Sequence, residues 1–295
     1  MTRYCFAPLL ALMVVPIADG ALVAYDPFLI GDNRAAGQYS VSTDMRTMGA
    51  AAFGWVGTMG VDGFGVPHAG STSNFQANAT GEDSAAVSYE QGGRLAWLGS
   101  NNSVFNRNLT RQLNPTPASS TWWFSIMTNR LGWGPSASFI GNQYAVGGFT
   151  DASNSGLQVG YDDTAGNDIP DLVLRAGGVN TVLLADAPSS DNQFVIVKLD
   201  VNTSGNDTIS VWTDPSTVSP LGAPSLVLNS FNVSDSLTPF TQSRYESPAQ
   251  SGVTYWDEIR LATDLPSLIG VPVPEPASCV LMACAAAGLA VVRRK

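Results

Sequence analysis

The chain has 295 residues, with 24 Asp and Glu against 14 Lys and Arg and one histidine, for a net charge of −10. An acidic balance with no basic patch in the interior of the chain argues against a phosphate backbone or anionic lipid headgroups as partners, so no nucleic acid is expected. The three cysteines stand near the ends, at Cys5, Cys279 and Cys284, which removes disulfides, a thiol nucleophile and thiolate metal sites from everything between them.

Met1-Thr2-Arg3 is a short basic start. An apolar run over 4–18 follows, too short for a comfortable membrane span, with small Ala18 and Gly20 before a plausible cleavage point. Residues 1–20 therefore read as a signal peptide. Residues 21–264 read as one domain, long enough to bury a large core, and 265–271 as a linker. Without the two terminal segments the chain keeps 22 acidic and 10 basic residues, and Lys198 is its one remaining lysine.

Helical periodicity is almost absent from this domain. Short apolar runs broken by Gly, Asn, Asp and Pro recur instead, the pattern of an all-β protein. In chain order the strands are expected at 122–128, 144–149, 172–176, 181–185, 194–201, 208–213, 226–228 and 253–261. The clearest is 194–201: Val195, Val197, Leu199 and Val201 share one face, and Phe194, Ile196, Lys198 and Asp200 the other. The first face is expected in the core and the second at least partly in solvent. The turn Thr203-Ser204-Gly205-Asn206-Asp207 joins it to 208–213 as a hairpin. Antiparallel strands in this number, without cysteine, predict a two-sheet antiparallel β-sandwich.

No catalytic signature emerges. Glu82-Asp83 and Asp257-Glu258 are adjacent pairs, and neighbours on a strand point to opposite faces, so neither pair converges on one substrate. Strict alternation puts Asp257 with Ile259 and Leu261 as a partly buried acceptor, and Glu258 with Trp256 and Arg260, paired to Arg260 on the surface. His68 sits in a Gly- and Pro-containing loop, and no second histidine exists to build a His-based metal cluster. The segment 162–171 gathers four carboxylates, and its hard oxygen donors at Asp163, Asn167, Asp168 and Asp171 make it the candidate calcium site. A polar hairpin turn accounts for the same residues. Trp55, Trp97, Trp133 and Tyr144 lie near Gly-rich loops and are the candidates for stacking on sugar rings, while Trp122, Trp123, Trp212 and Trp256 lie in strands and read as packing residues.

Three stretches, with an opening Ala24-Tyr25-Asp26-Pro27-Phe28, carry a resemblance. They are Thr121-Trp122-Trp123-Phe124-Ser125; Val197-Lys198-Leu199-Asp200 with Val211-Trp212-Thr213-Asp214-Pro215; and Trp256-Asp257-Glu258-Ile259-Arg260-Leu261. Their order resembles the concanavalin A-like, laminin-G-like jelly rolls of exported bacterial proteins. That group includes carbohydrate-binding domains and glycan-cleaving enzymes, so the resemblance implies a fold rather than an activity. Its carboxylate signature for glucan cleavage, Glu-x-Asp-x-x-Glu, is absent from this chain.

The tail reads Pro272-Val273-Pro274-Glu275-Pro276, an uncharged apolar stretch over 277–292, and Arg293-Arg294-Lys295. At 1.5 Å per residue the stretch spans about 24 Å as a helix, somewhat short of a ~30 Å hydrocarbon core, and snorkelling of the terminal cations covers part of the difference. Those cations are expected to stay cytoplasmic, leaving the domain on the other side of the membrane. This order resembles the PEP-CTERM sorting signal of Gram-negative bacteria, over 272–295. The resemblance implies an exosortase-type enzyme acting at Pro274, Glu275 and Pro276, transient inner-membrane anchoring, and a final place at the cell surface or in the extracellular matrix. The combined expectation is a sorted, non-enzymatic domain that binds extracellular polysaccharide or mediates adhesion. A polysaccharide-active hydrolase or lyase and a purely structural surface protein are the alternatives.

Overall fold

The computed structural model describes residues 20–26, 54–62, 75–78, 94–98, 107–131, 144–162, 169–188, 191–247 and 253–270. They form fifteen strands and one short helix. The first eight strands are β1 (Leu22–Asp26), β2 (Trp55–Asp62), β3 (Phe75–Asn78), β4 (Arg94–Leu98), β5 (Arg107–Leu113), β6 (Thr121–Leu131), β7 (Tyr144–Thr150) and β8 (Gly156–Asp162). The rest are β9 (Asp171–Ala176), β10 (Val179–Leu184), β11 (Gln193–Asp200), β12 (Asp207–Thr213), β13 (Leu226–Phe231), β14 (Gln242–Ser247) and β15 (Val253–Ala262), followed by helix α1 (Leu265–Leu268).

Two antiparallel sheets face one another. One runs β13-β12-β11-β6-β15-β4-β3, with β1 also paired to β15; the other runs β10-β9-β8-β7-β14-β5-β2. The expected hairpin is present: β11 pairs with β12 from Val195↔Thr213 to Asp200↔Thr208. The tightest turn joins β9 to β10 through Gly177 and Gly178, both at positive φ, with Ala176 and Val179 paired across it. That is the two-residue, left-handed turn glycine permits.

The core follows from alternation. Val195, Val197 and Leu199 of β11, Ile209 and Val211 of β12, and Trp122, Phe124 and Ile126 of β6 turn inward and meet Phe149, Leu157, Val159, Tyr161, Leu172 and Leu174 of the opposite sheet. Aromatic rings bridge the layers, with Phe149 packed edge-on against Phe124 at 5.4 Å and near Phe240 at 6.1 Å.

The second face of β11 is partly in solvent: Lys198 and Asp200 remain partly exposed, while Phe194 and Ile196 are buried with Met127, Trp212, Ala262 and Leu268 in a smaller outer cluster. Two expectations are corrected. The stretch 265–271, read as a linker, opens with α1, capped by the Asp264 side chain and packed into that cluster through Leu268 and Leu265. The alternation of β15 also fails at its acidic pair. The pairing of β15 with β6 shifts register between Asp257 and Arg260, and Glu258 takes φ +50°. The extra residue puts Trp256 into the same core as Ile259 and Leu261. Glu258 is buried rather than on the surface; its pairing with Arg260 stands, at 3.2 Å. At this bulge β15 exchanges neighbours, pairing with β4 up to Trp256 and with β1 from Ile259.

Candidate functional site: the outer face of the seven-stranded sheet

Residues that alternate with the core positions of the seven-stranded sheet form an outer face with one polar row beside a largely apolar one. One cross-strand row reads Asn180, Arg175, Gln158, Gly148, Arg244 and Thr110. The adjoining row reads Val182, Val173, Gly160, Val146 and Glu246. Tyr144 lies opposite Asp162 in a third row. Glycine floors the middle of this face. A Cβ built on Gly148 would collide with the Leu157 carbonyl, and one on Gly160 with the Ala145 carbonyl. With no side chain on Gly148 or Gly160, Arg175 of β9 reaches across β8 and β7 toward Glu246 of β14.

The polar groups hold one another in place. Arg244 Nε donates to Glu246 Oε2 at 2.8 Å, and its Nη1 donates to Asn154 Oδ1 at 2.7 Å. Asn154 sits at φ +66° in the β7–β8 turn, a conformation Asn tolerates, with Asp151 capping the amides of Ser153 and Ser155. Gln242 Nε2 donates to Thr150 Oγ1 and Asn154 Oδ1, its Oε1 accepts from Gln112, and Gln158 Nε2 donates to the Arg244 carbonyl. Arg175 is held less tightly. Its Nη1 is 3.6 Å from Glu246 Oε1 and its guanidinium lies 4.6 Å over the Tyr144 ring. Burial, and then the charge of Glu246, push the Tyr144 phenol above its ordinary range, so at neutral pH it is protonated and able to donate.

The residues singled out in the sequence fare unequally. Tyr144 belongs to this face and is half-buried. Trp55 does not: it is 7% exposed, stacked 6.0 Å from Phe149 in the core, with Arg111 5.1 Å from its ring. Its place between the sheets removes it as a sugar platform. Trp97 lies on β4, where only the backbone is described. Trp133 and the sorting residues Pro274, Glu275, Pro276, Arg293, Arg294 and Lys295 lie outside the described residues, as do residues 1–19. Of the calcium candidates Asp163, Asn167 and Asp168 lie outside them too; Asp171 is buried and accepts from the Asp186 amide at 2.9 Å. Trp122 and Trp256 are core, and Trp123 stacks on Trp212 at 5.6 Å on the outer side of the other sheet. Among the described residues no helix is long and apolar enough to cross a membrane.

Sequence reading missed Arg175, Arg244, Glu246, Gln158, Gln242 and Asn154. The available signal was Gln242, Arg244 and Glu246 at a spacing of two, which places them on one face of a strand. That strand has no apolar run to announce it.

No protein-family model matches the chain, and no curated protein does. Among solved structures it is similar to endo-β-1,4-glucuronan lyase from the fungus Trichoderma reesei, at TM-score 0.39 and 9% identity over 71% of this chain and 97% of that one. It is also similar to alginate lyase vAL-1 from Chlorella virus, at TM-score 0.39 and 9% identity over 64% and 93%. A third is the T. cruzi calreticulin globular domain, at TM-score 0.40 and 12% identity over 80% and 95%. Likeness at this level carries no functional inference.

Proposed function

We propose that the protein is an exported surface or extracellular-matrix component whose β-sandwich binds carbohydrate through the outer face of the seven-stranded sheet. The supporting observation is the fixed array of guanidinium, amide and phenol groups laid over Gly148 and Gly160. Sugars are recognised by directional hydrogen bonds to many hydroxyls, and donors already held in position lose little freedom on binding. Binding without cleavage fits the same groups: two arginines attend Glu246, Asn180 donates to Asp162, and the Tyr144 phenol, kept protonated chiefly by burial, is not a free base at neutral pH. In this reading an exosortase-type enzyme processes the tail, after transient anchoring in the inner membrane.

A glycan array probed with the purified full chain, with and without calcium, tests the proposal. Binding to a defined set of polysaccharides, with no new reducing ends or unsaturated products, is the expected result. Absence of binding to every glycan would sink it. Product release would move the protein to the hydrolase or lyase alternative.

A further inference from the structure

We infer that the glycan this face takes carries carboxylates on its sugar rings, and that Arg175 receives one of them. The inference rests on the carbohydrate-binding reading above and names its ligand class.

The two arginines of the face are not equivalent. Arg244 is firmly held: Glu246 Oε2 and Asn154 Oδ1 both accept from it at hydrogen-bond distance, and its side chain is 10% exposed. Arg175 is 22% exposed, and 3.6 Å from Glu246 is outside hydrogen-bond distance. One carboxylate thus serves two guanidinium groups and bonds closely to only one. Arg175 has an ion contact, the Tyr144 ring beneath it and a hydrogen bond with the Tyr144 phenol, which together engage part of its donor set. Its planar fork is held by the Tyr144 ring, with donor positions left over. A carboxylate is the partner that matches a planar fork with two parallel hydrogen bonds.

Position agrees with this. Arg175 extends from β9 over the glycine positions of β8 and β7, so its head group lies above the middle of the sheet. Asp162 is the acidic residue of the third row, and Asn180 donates to its carboxylate. The chain as a whole carries −10, so no long-range field draws a polyanion in. Selection for the carboxylate is local, and short oligomers are the suitable probes.

The test uses the full chain and trimers of glucuronate, mannuronate and galacturonate, each beside its carboxyl-reduced, neutral counterpart of the same linkage. Titration calorimetry is expected to show at least one uronate bound tenfold or more tighter than its counterpart. Arg175→Gln is expected to abolish that preference without lowering the melting temperature. Should the Gln variant melt low, Arg175→Lys serves: it keeps the charge, loses the fork, and is expected to lose most of the preference. Equal affinity within every pair, or a well-folded Arg175→Gln that keeps the preference, overturns the inference and leaves carbohydrate binding standing. Absence of binding to both members of every pair, with a blank glycan array, overturns both.

Discussion

Four tyrosines show at single-residue scale how burial becomes a pH dependence. Tyr25, Tyr144, Tyr161 and Tyr245 all have phenols pushed up, and burial is the largest cause at each. In the unfolded chain a tyrosine titrates near 10. Below that pH both states hold the proton, and these groups have no effect on the pH dependence. Above it the unfolded chain sheds protons that the native state keeps, so stability falls as pH rises. We predict a melting temperature that drops steeply between about pH 10 and pH 11, and a shallower drop in Tyr161→Phe. Thermal melts across that range decide it, and an identical slope in the variant would refute the assignment for Tyr161. Glu258 shows a second residue-scale effect. It is buried at φ +50°, accepts from Tyr25 Oη at 3.1 Å and from Arg260 Nη2 at 3.2 Å, and Arg260 lies 4.2 Å over the Tyr25 ring. A non-glycine residue in that backbone region is strained, and the ion pair on the closing strand holds it there.

At the scale of the element, β11 offers the sharpest test of register. Val197 lies between Phe124 of β6 and Val211 of β12 and is buried in the main core. Lys198, one residue on, faces outward, pairs with Asp200 at 2.7 Å and sits 5.8 Å from the Trp123 ring. Val197→Asp is expected to cost several kcal/mol, because an unpaired carboxylate enters an apolar layer. Lys198→Asp is expected to cost about 1 kcal/mol or less, since it trades an exposed pair for a solvated repulsion. Urea denaturation of the two variants reads the difference, and equal costs would contradict the register. Strand β15 teaches the complementary lesson. Its bulge lets one strand serve β4 and β1 in turn, which regular alternation would not produce.

At the scale of the whole molecule, the described residues form one sandwich whose first and last strands pair, β1 with β15. The domain therefore closes on itself just before the tail begins. In the proposed sorting route the exosortase-type enzyme acts at Pro274-Glu275-Pro276, beyond the end of α1 in the chain. Replacing Pro274, Glu275 and Pro276 together by alanine is expected to keep the protein cell-associated. Immunoblots of cells and medium measure this, and equal release of variant and wild type would refute the route.

Much of the fold was legible in the sequence because strand alternation is local. Two residues apart means the same face, and the apolar residues of β11 and β12 declare their inward side without reference to anything distant. The hairpin from β11 to β12 is likewise written in its turn residues. Whether the second face of a strand meets solvent, a helix or a binding groove depends on what packs there. For that reason Phe194 and Ile196 proved buried, and Trp55, beside glycine in the sequence, proved to be core. The candidate site is a tertiary product in the same sense. Arg175, Tyr144 and Glu246 come from three strands about thirty to a hundred residues apart in the chain. They meet because Arg175 extends over the glycine positions of the intervening strands, and periodicity within one strand carries no information about that meeting.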